Sequence, residues 1–256
     1  MKKVILAMII IFSNVVGSYA IDVDKLIRDF SGNDWQTILN AKKELENLEE
    51  IALPQIVELL DQDKLVKIQN TGDLIYPGAE KFYGHGIIVD YDIDNLAIRG
   101  GWLLEEITFQ NFGFSTIHDR DENLMSNIKI NFKDFLNEGY LKKLKNMTPD
   151  QLRVEMKKMA IKKAKDWWLN ESTDWNRLQG IIDALHSDDS RRQILALQYL
   201  KSGESKCKGL TIEAYLDELK GRITYLSKSK IKRISEQSIF ILNDSDFEFI
   251  RIKNKQ

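Results

Sequence analysis

The sequence predicts an all-α fold, an irregular stack of helix pairs of the α-α superhelix kind. Three observations carry this. Apolar residues recur at three- and four-residue spacing through most of the chain. Proline and side-chain caps stand where those stretches begin. The turns between them are short and acidic. With 256 residues, 43% hydrophobic and 30% charged, the chain is long enough for a sizeable core and is unlike a disordered or collagenous sequence. We take residues 21–256 as one helical domain. The lone cysteine excludes an intrachain disulfide framework, and three histidines beside it leave little for a zinc cage.

Residues 1–20 read as an export signal: Lys2 and Lys3, then the apolar run Val4 to Val16, then Gly17, Ser18, Tyr19 and Ala20 before the expected cut. The apolar run is shorter than the ~20 residues that span a bilayer. The expected location is therefore the periplasm or outside the cell.

The elements follow in order. Asn33 or Asp34 caps a helix carrying Trp35, Ile38, Leu39, Leu45 and Leu48. Pro54 suits the first turn of a second, with Ile56, Val57, Leu59 and Leu60, ended by Asp61, Gln62 and Asp63. Residues 70–94 resist a helical reading. Gly72, Pro77, Gly78, Gly84 and Gly86 make a loop, with Ile87-Ile88-Val89 as a short strand. Asp94 then caps a helix through Leu103 and Ile107. Thr148-Pro149-Asp150-Gln151 is a capping box opening a long helix to Trp167 and Trp168. Asp174 caps the next, with Leu178, Ile181, Ile182 and Leu185. Ser187 to Ser190 turn into a helix with Ile194, Leu195, Leu197, Tyr199 and Leu200. Two amphipathic segments follow at 211–220 and 222–229. Residues 239–252 fit either a small C-terminal β-hairpin or a last helix pair.

Two segments look related. Asp94-Asn95-Leu96-Ala97-Ile98-Arg99 leads into Leu103 and Ile107, and Ser187-Asp188-Asp189-Ser190-Arg191-Arg192 leads into Ala196 and Leu200. Each has an arginine followed by apolar residues at i+4 and i+8, with capping residues four and five positions before it. This resembles HEAT-like repeats, in which an acidic turn and an arginine begin the inner helix of each pair. Ala41 to Leu60 looks like a further pair. The run Ile107 to Phe114 is similar to the end of a phycobilisome-lyase-type repeat, where a Phe-Gly turn precedes a tryptophan pair such as Trp167-Trp168. The resemblance covers about a third of the domain and implies a concave binding surface bearing Arg99 and Arg192. The two arginines stand 93 positions apart, so no short constant period is present.

Charge is divided along the chain. Residues 21–125 carry 9 Lys+Arg against 21 Asp+Glu, and residues 126–256 carry 26 against 18. Such a split can hold two parts together or offer faces of opposite sign. An acidic exported chain does not suggest nucleic acid. Lys157, Lys158, Lys162, Lys163 and Lys165 share one helix and form a solvated face or weak contact with an acidic membrane.

Candidate chemistry centres on Tyr76 to Gly86. There Tyr76, Phe82, Tyr83 and His85 sit among glycines, which let backbone approach a ligand. The same run also fits an Ω-loop folded onto the core. Asp90-Tyr91-Asp92-Ile93-Asp94 begins like a calcium loop, but Asn95 and Gly101 stand where glycine and glutamate are required. His118 and His186 each neighbour an acid, a pairing common by chance. Cys207, between lysines in a polar loop, reads as an exposed thiol. No phosphate loop, dinucleotide motif, H-E-x-x-H or nucleophile elbow is present, and no cofactor or metal is indicated. The expected function is non-enzymatic binding of another protein or envelope component. The alternative is a small exported hydrolase using His85 and loop carboxylates.

Overall fold

A computed structural model describes residues 22–80, 86–202 and 207–243. Among these residues the fold is mostly helical with one very small sheet. In order come α1 (Val23–Phe30), α2 (Trp35–Asn47), a 3-10 turn (Glu49–Ala52), α3 (Leu53–Leu59), β1 (Leu74–Ile75), β2 (Ile87–Ile88) and α4 (Leu96–Thr108). After a 3-10 turn at Phe114–Thr116 come α5 (Asp121–Asn131), a 3-10 turn (Lys133–Phe135), α6 (Glu138–Leu144), α7 (Pro149–Glu171), α8 (Arg177–His186) and α9 (Ser190–Lys201). The last part holds α10 (Ile212–Ala214), a π turn (Tyr215–Leu219), α11 (Lys220–Leu226) and α12 (Lys232–Asn243).

Local chemistry explains most starts. Asp34 accepts from the Thr37 N–H and caps α2. Pro54 sits in the first turn of α3. The Thr148–Gln151 capping box closes in both directions. Two caps differ from expectation. Asn176, not Asp174, caps α8, and Asn95, not Asp94, caps α4. Asp94 is instead spent on the loop, accepting from the Ile68 N–H and the Tyr76 hydroxyl. The segments at 211–220 and 222–229 are not two helices. Right-handed backbone runs on from Ile212 to Leu226 through the π turn. Ile239 to Leu242 close α12 and do not start a hairpin, because Ile234, Ser238 and Ile241 bury along one helical face. The rest of that hairpin lies outside the described residues.

Two hydrophobic clusters form. Among the described residues one runs from Phe30 to Ala164 through α1 to α7. The other joins α8, α9, the π turn, α11 and α12. Phe109 pins them together. It ends α4 in the left-handed conformation (φ 55°), and its ring packs 5.3 Å from that of Tyr199 in the second cluster. On the other side of that turn, Phe112 packs 5.7 Å from Trp167.

Cations seated on helix C-termini recur. A helix end leaves carbonyls without intrahelical partners, and its dipole favours positive charge there. Arg99 donates to Phe30 O and Gly32 O beyond α1. Arg177 donates to Glu46 O in α2, Arg192 to Phe109 O after α4, and Arg222 to Leu185 O in α8. Lys163 donates to Asn131 O at the end of α5 and to Asn111 O.

The charge division is used internally. Asp63 meets Lys157 at 2.6 Å, Asp121 meets Arg153 at 2.6 Å, Asp90 meets Arg191 at 3.4 Å, and Asp61 pairs with Lys165. Each pair joins the acidic part of the sequence to the basic part.

Candidate ligand cleft

A cleft of about 710 Å³ opens between the β1–β2 loop, α5 and the start of α9. Its base is the turn after α4, and a buried carboxylate sets that turn. Glu105 is 0% exposed. Its Oε1 accepts the N–H groups of Phe112, Gly113 and Phe114 at 2.7, 2.8 and 3.2 Å. Its Oε2 accepts the Tyr91 hydroxyl at 2.6 Å, and Arg191 Nη2 donates to that hydroxyl at 2.9 Å. Burial raises the Glu105 pKa, while the Arg191 charge and these hydrogen bonds oppose the rise. Gly113, with φ +98°, supplies the turn conformation that an L side chain rarely adopts.

One wall is the loop. β1 and β2 pair in parallel, Leu74 beside Ile87 and Ile75 beside Ile88. Tyr76 is buried, with its hydroxyl 3.0 Å from Asp94. Gly78 lies so close to the Asp92 and Asp94 carboxylates that a Cβ there would meet their oxygens at 2.6 and 2.7 Å. Lys67 ties the turn from outside, donating to Gly78 O at 2.6 Å and pairing with Asp94 at 3.0 Å. The loop is thus fastened to its own acids.

His118 lines the cleft with its Nε2 3.5 Å from Asp92 Oδ2. Burial lowers its pKa, Asp92 opposes this, and the charges of Arg153 and Lys157 lower it further. The imidazole is therefore mostly neutral near pH 7 and stands beside the Asp92 carboxylate without a hydrogen bond to it, a nitrogen base facing the cleft. The opposite wall offers Asn127, Ile130, Asn131 and, from α9, Asp189, Ser190 and Arg191. Asn111 donates to Asn131 and Asp189, and its own Oδ1 is buried without a partner. Ile88 and Ile130 border the cleft at 71% and 68% exposure.

Of the residues read from sequence, Tyr76 lines this cleft but spends its hydroxyl on Asp94. Phe82, Tyr83 and His85 lie outside the described residues. Arg99 offers no recognition surface. It is 0% exposed and donates to Ile93 O, Phe30 O, Gly32 O and Val66 O. Arg192 is half-buried on Phe109 O. The lysine face is largely tied down. Lys157 and Lys165 reach acids after α3, Lys163 caps carbonyls, and Lys158 and Lys162 pair with Glu155 and Asp166 on their own helix. Cys207 is buried, not exposed as expected, and burial pushes its thiol up to about 12. His186 is exposed beside Ile182 O.

Sequence does not single out His118, because the acid beside it in space is Asp92 and not its neighbour Asp119. Among the described residues no group of three or more His, Cys, Asp or Glu could hold a metal ion, and no helix is long and apolar enough to cross a membrane. Compared with protein-family models, curated proteins and solved structures, the chain matches none.

Proposed function

We propose that the chain is an exported, non-catalytic binding protein, a HEAT-like scaffold whose cleft receives a segment of another protein. The cleft carries this reading. Its rim sets the exposed apolar side chains Ile88 and Ile130 beside hydrogen-bonding Asn127, Asp90 and Arg191, the mixture that protein interfaces use. The HEAT-like reading is supported by Arg99 and Arg192. Each lies in the first turn of a capped helix, and each donates to carbonyls at the end of an earlier one. Export rests on residues 1–20 and is checked by the mass of the chain recovered outside the cytoplasm, expected to begin at Ile21.

The test uses immobilised residues 21–256 and a cell-envelope extract at low salt, where charge steering is strongest. A partner captured by the wild type is expected to be lost with Ile88→Asp and with Ile130→Asp. Both side chains are exposed, so the fold should tolerate both changes. An unchanged set of captured proteins would overturn the assignment of the cleft.

His118 and Asp92 favour a second reading, a small hydrolase in which His118 activates a water in the cleft. It requires ester or amide hydrolysis that falls with both His118→Gln and Asp92→Asn. Hydrolysis that survives both substitutions removes it.

A further inference from the structure

We propose that a second cavity, at the end of α2 against α8 and α9, binds a small monocarboxylate on the guanidinium of Arg177. This site is separate from the cleft. The cavity measures about 340 Å³, at the small end of the ~300–1,000 Å³ typical of ligand pockets. Lys42, Glu46, Glu106, Arg177, Leu195 and Tyr199 line it.

Arg177 is 3% exposed, yet it makes one hydrogen bond, from Nη1 to Glu46 O at 2.5 Å. Its Nε and Nη2 are buried with no partner. Those two nitrogens share one edge of the planar group and form the fork that matches the two oxygens of a carboxylate. The Tyr199 ring lies 4.5 Å and the Phe109 ring 5.9 Å from the guanidinium carbon, and the two rings are 5.3 Å from each other, so both pack on one side of the group. The Nε–Nη2 edge makes no hydrogen bond. The Tyr199 hydroxyl is also buried and unpartnered, so two residues that border the cavity carry three unmet donors between them. Native proteins rarely leave even one buried donor unmet.

The protein's own acids do not serve. Glu46 and Glu106 both hold the Lys42 ammonium at 2.6 Å. Glu49 accepts from the Lys208 N–H at 3.1 Å. With Glu46 and Glu106 set against Lys42 and Lys43 in the same lining, Arg177 leaves one net positive charge, which a single carboxylate neutralises. A short aliphatic tail on that carboxylate can lie along Leu195. The donors are sealed from bulk water, so the ligand reaches them when the Tyr199 side chain, which borders the cavity, swings aside.

Butyrate tests this, with inorganic phosphate as a second arm and chloride at matched ionic strength as the control. Binding is read by thermal shift and by the Nε–H resonance of Arg177 in 15N-labelled protein. The expected result is a saturable rise in melting temperature with butyrate, a displaced Arg177 resonance, and weaker binding of phosphate. Arg177→Lys, which loses the fork, should weaken butyrate by about tenfold or more. Tyr199→Phe, which keeps the ring and loses only the hydroxyl, should weaken it several-fold. If Arg177→Lys does not fold, Tyr199→Phe and the resonance decide. The proposal is overturned by a wild type whose response to butyrate equals that to chloride. That result would mean water alone occupies the cavity. It is equally overturned by butyrate binding that Tyr199→Phe leaves unchanged, or by phosphate that binds as tightly as butyrate.

Discussion

Replacing Arg99 with methionine should cost about 3–5 kcal/mol of stability, the sum of the buried carbonyls it leaves without a donor. The structure supplies the magnitude. Arg99 is wholly buried and donates to four backbone carbonyls, at 2.6, 2.8, 2.7 and 3.1 Å. Methionine fills much of the volume but satisfies none of them. The two contacts in fully buried surroundings, to Ile93 O and Phe30 O, leave acceptors that water does not readily reach, at roughly 1–3 kcal/mol each. The two part-buried contacts, to Gly32 O and Val66 O, can be replaced in part by water and add less. Arg99→Lys keeps the charge but cannot span four acceptors, so its cost should be smaller and still exceed about 1.5 kcal/mol. Urea unfolding followed by far-ultraviolet circular dichroism measures both, provided the m-value is unchanged. A loss below about 1 kcal/mol for the methionine variant would refute the claim that this residue staples the end of α1, the segment through Val66 and the segment through Ile93 to α4.

Other expectations follow from the same contacts. Because burial, opposed by Asp92 and aided by Arg153 and Lys157, holds the His118 pKa below 6.5, the unfolded chain takes up that proton first as pH falls. His118 therefore costs nothing well above pH 6.5 and subtracts stability as pH drops below it. His118→Gln should flatten that limb of the stability profile, and parallel profiles for the two proteins would contradict this. Cys207, buried and pushed up to about 12, should react with iodoacetamide at pH 8 at least about a hundredfold more slowly in native protein than in urea. Comparable rates by mass spectrometry would count against the buried thiol. Gly101→Ala would place a Cβ 2.5 Å from the Phe114 ring and should cost about 1–3 kcal/mol. Gly72→Ala, with open space around it, should stay within about 0.5 kcal/mol of wild type in the same urea assay.

What could be read from sequence was local. The box at Thr148 to Gln151, the cap at Asp34 and the turn before Ser190 each satisfy backbone groups a few residues away, so their chemistry is written in adjacent letters. Long-range pairings were not legible. The parallel match of Leu74 with Ile87 needs a crossover, which alternation does not reveal. An arginine in an acidic turn reads as a surface residue, and only the arrival of carbonyls from residues 30, 32 and 66 shows Arg99 to be interior. The apolar run at Ile239 to Leu242 carries no period of its own, and packing of α12 against α9 and α11 decided for helix. In the cleft, His118 stands 3.5 Å from Asp92, and the turn between them in sequence is held by Glu105, contacts that neither residue's neighbours in sequence reveal.

The cationic clasps on helix ends also bear on how the molecule assembles. Arg99 reaches back 69 residues to Phe30, Arg192 reaches 83 to Phe109, and Arg177 reaches 131 to Glu46. A nascent chain can wind α1 and α2 early, yet their terminal carbonyls stay wet until α4 and α8 have been made. Closing such distant loops slows the search for the native state. Refolding should therefore show helical signal well before the tertiary signal of the tryptophans, with the final locking step arriving late and nearly all at once.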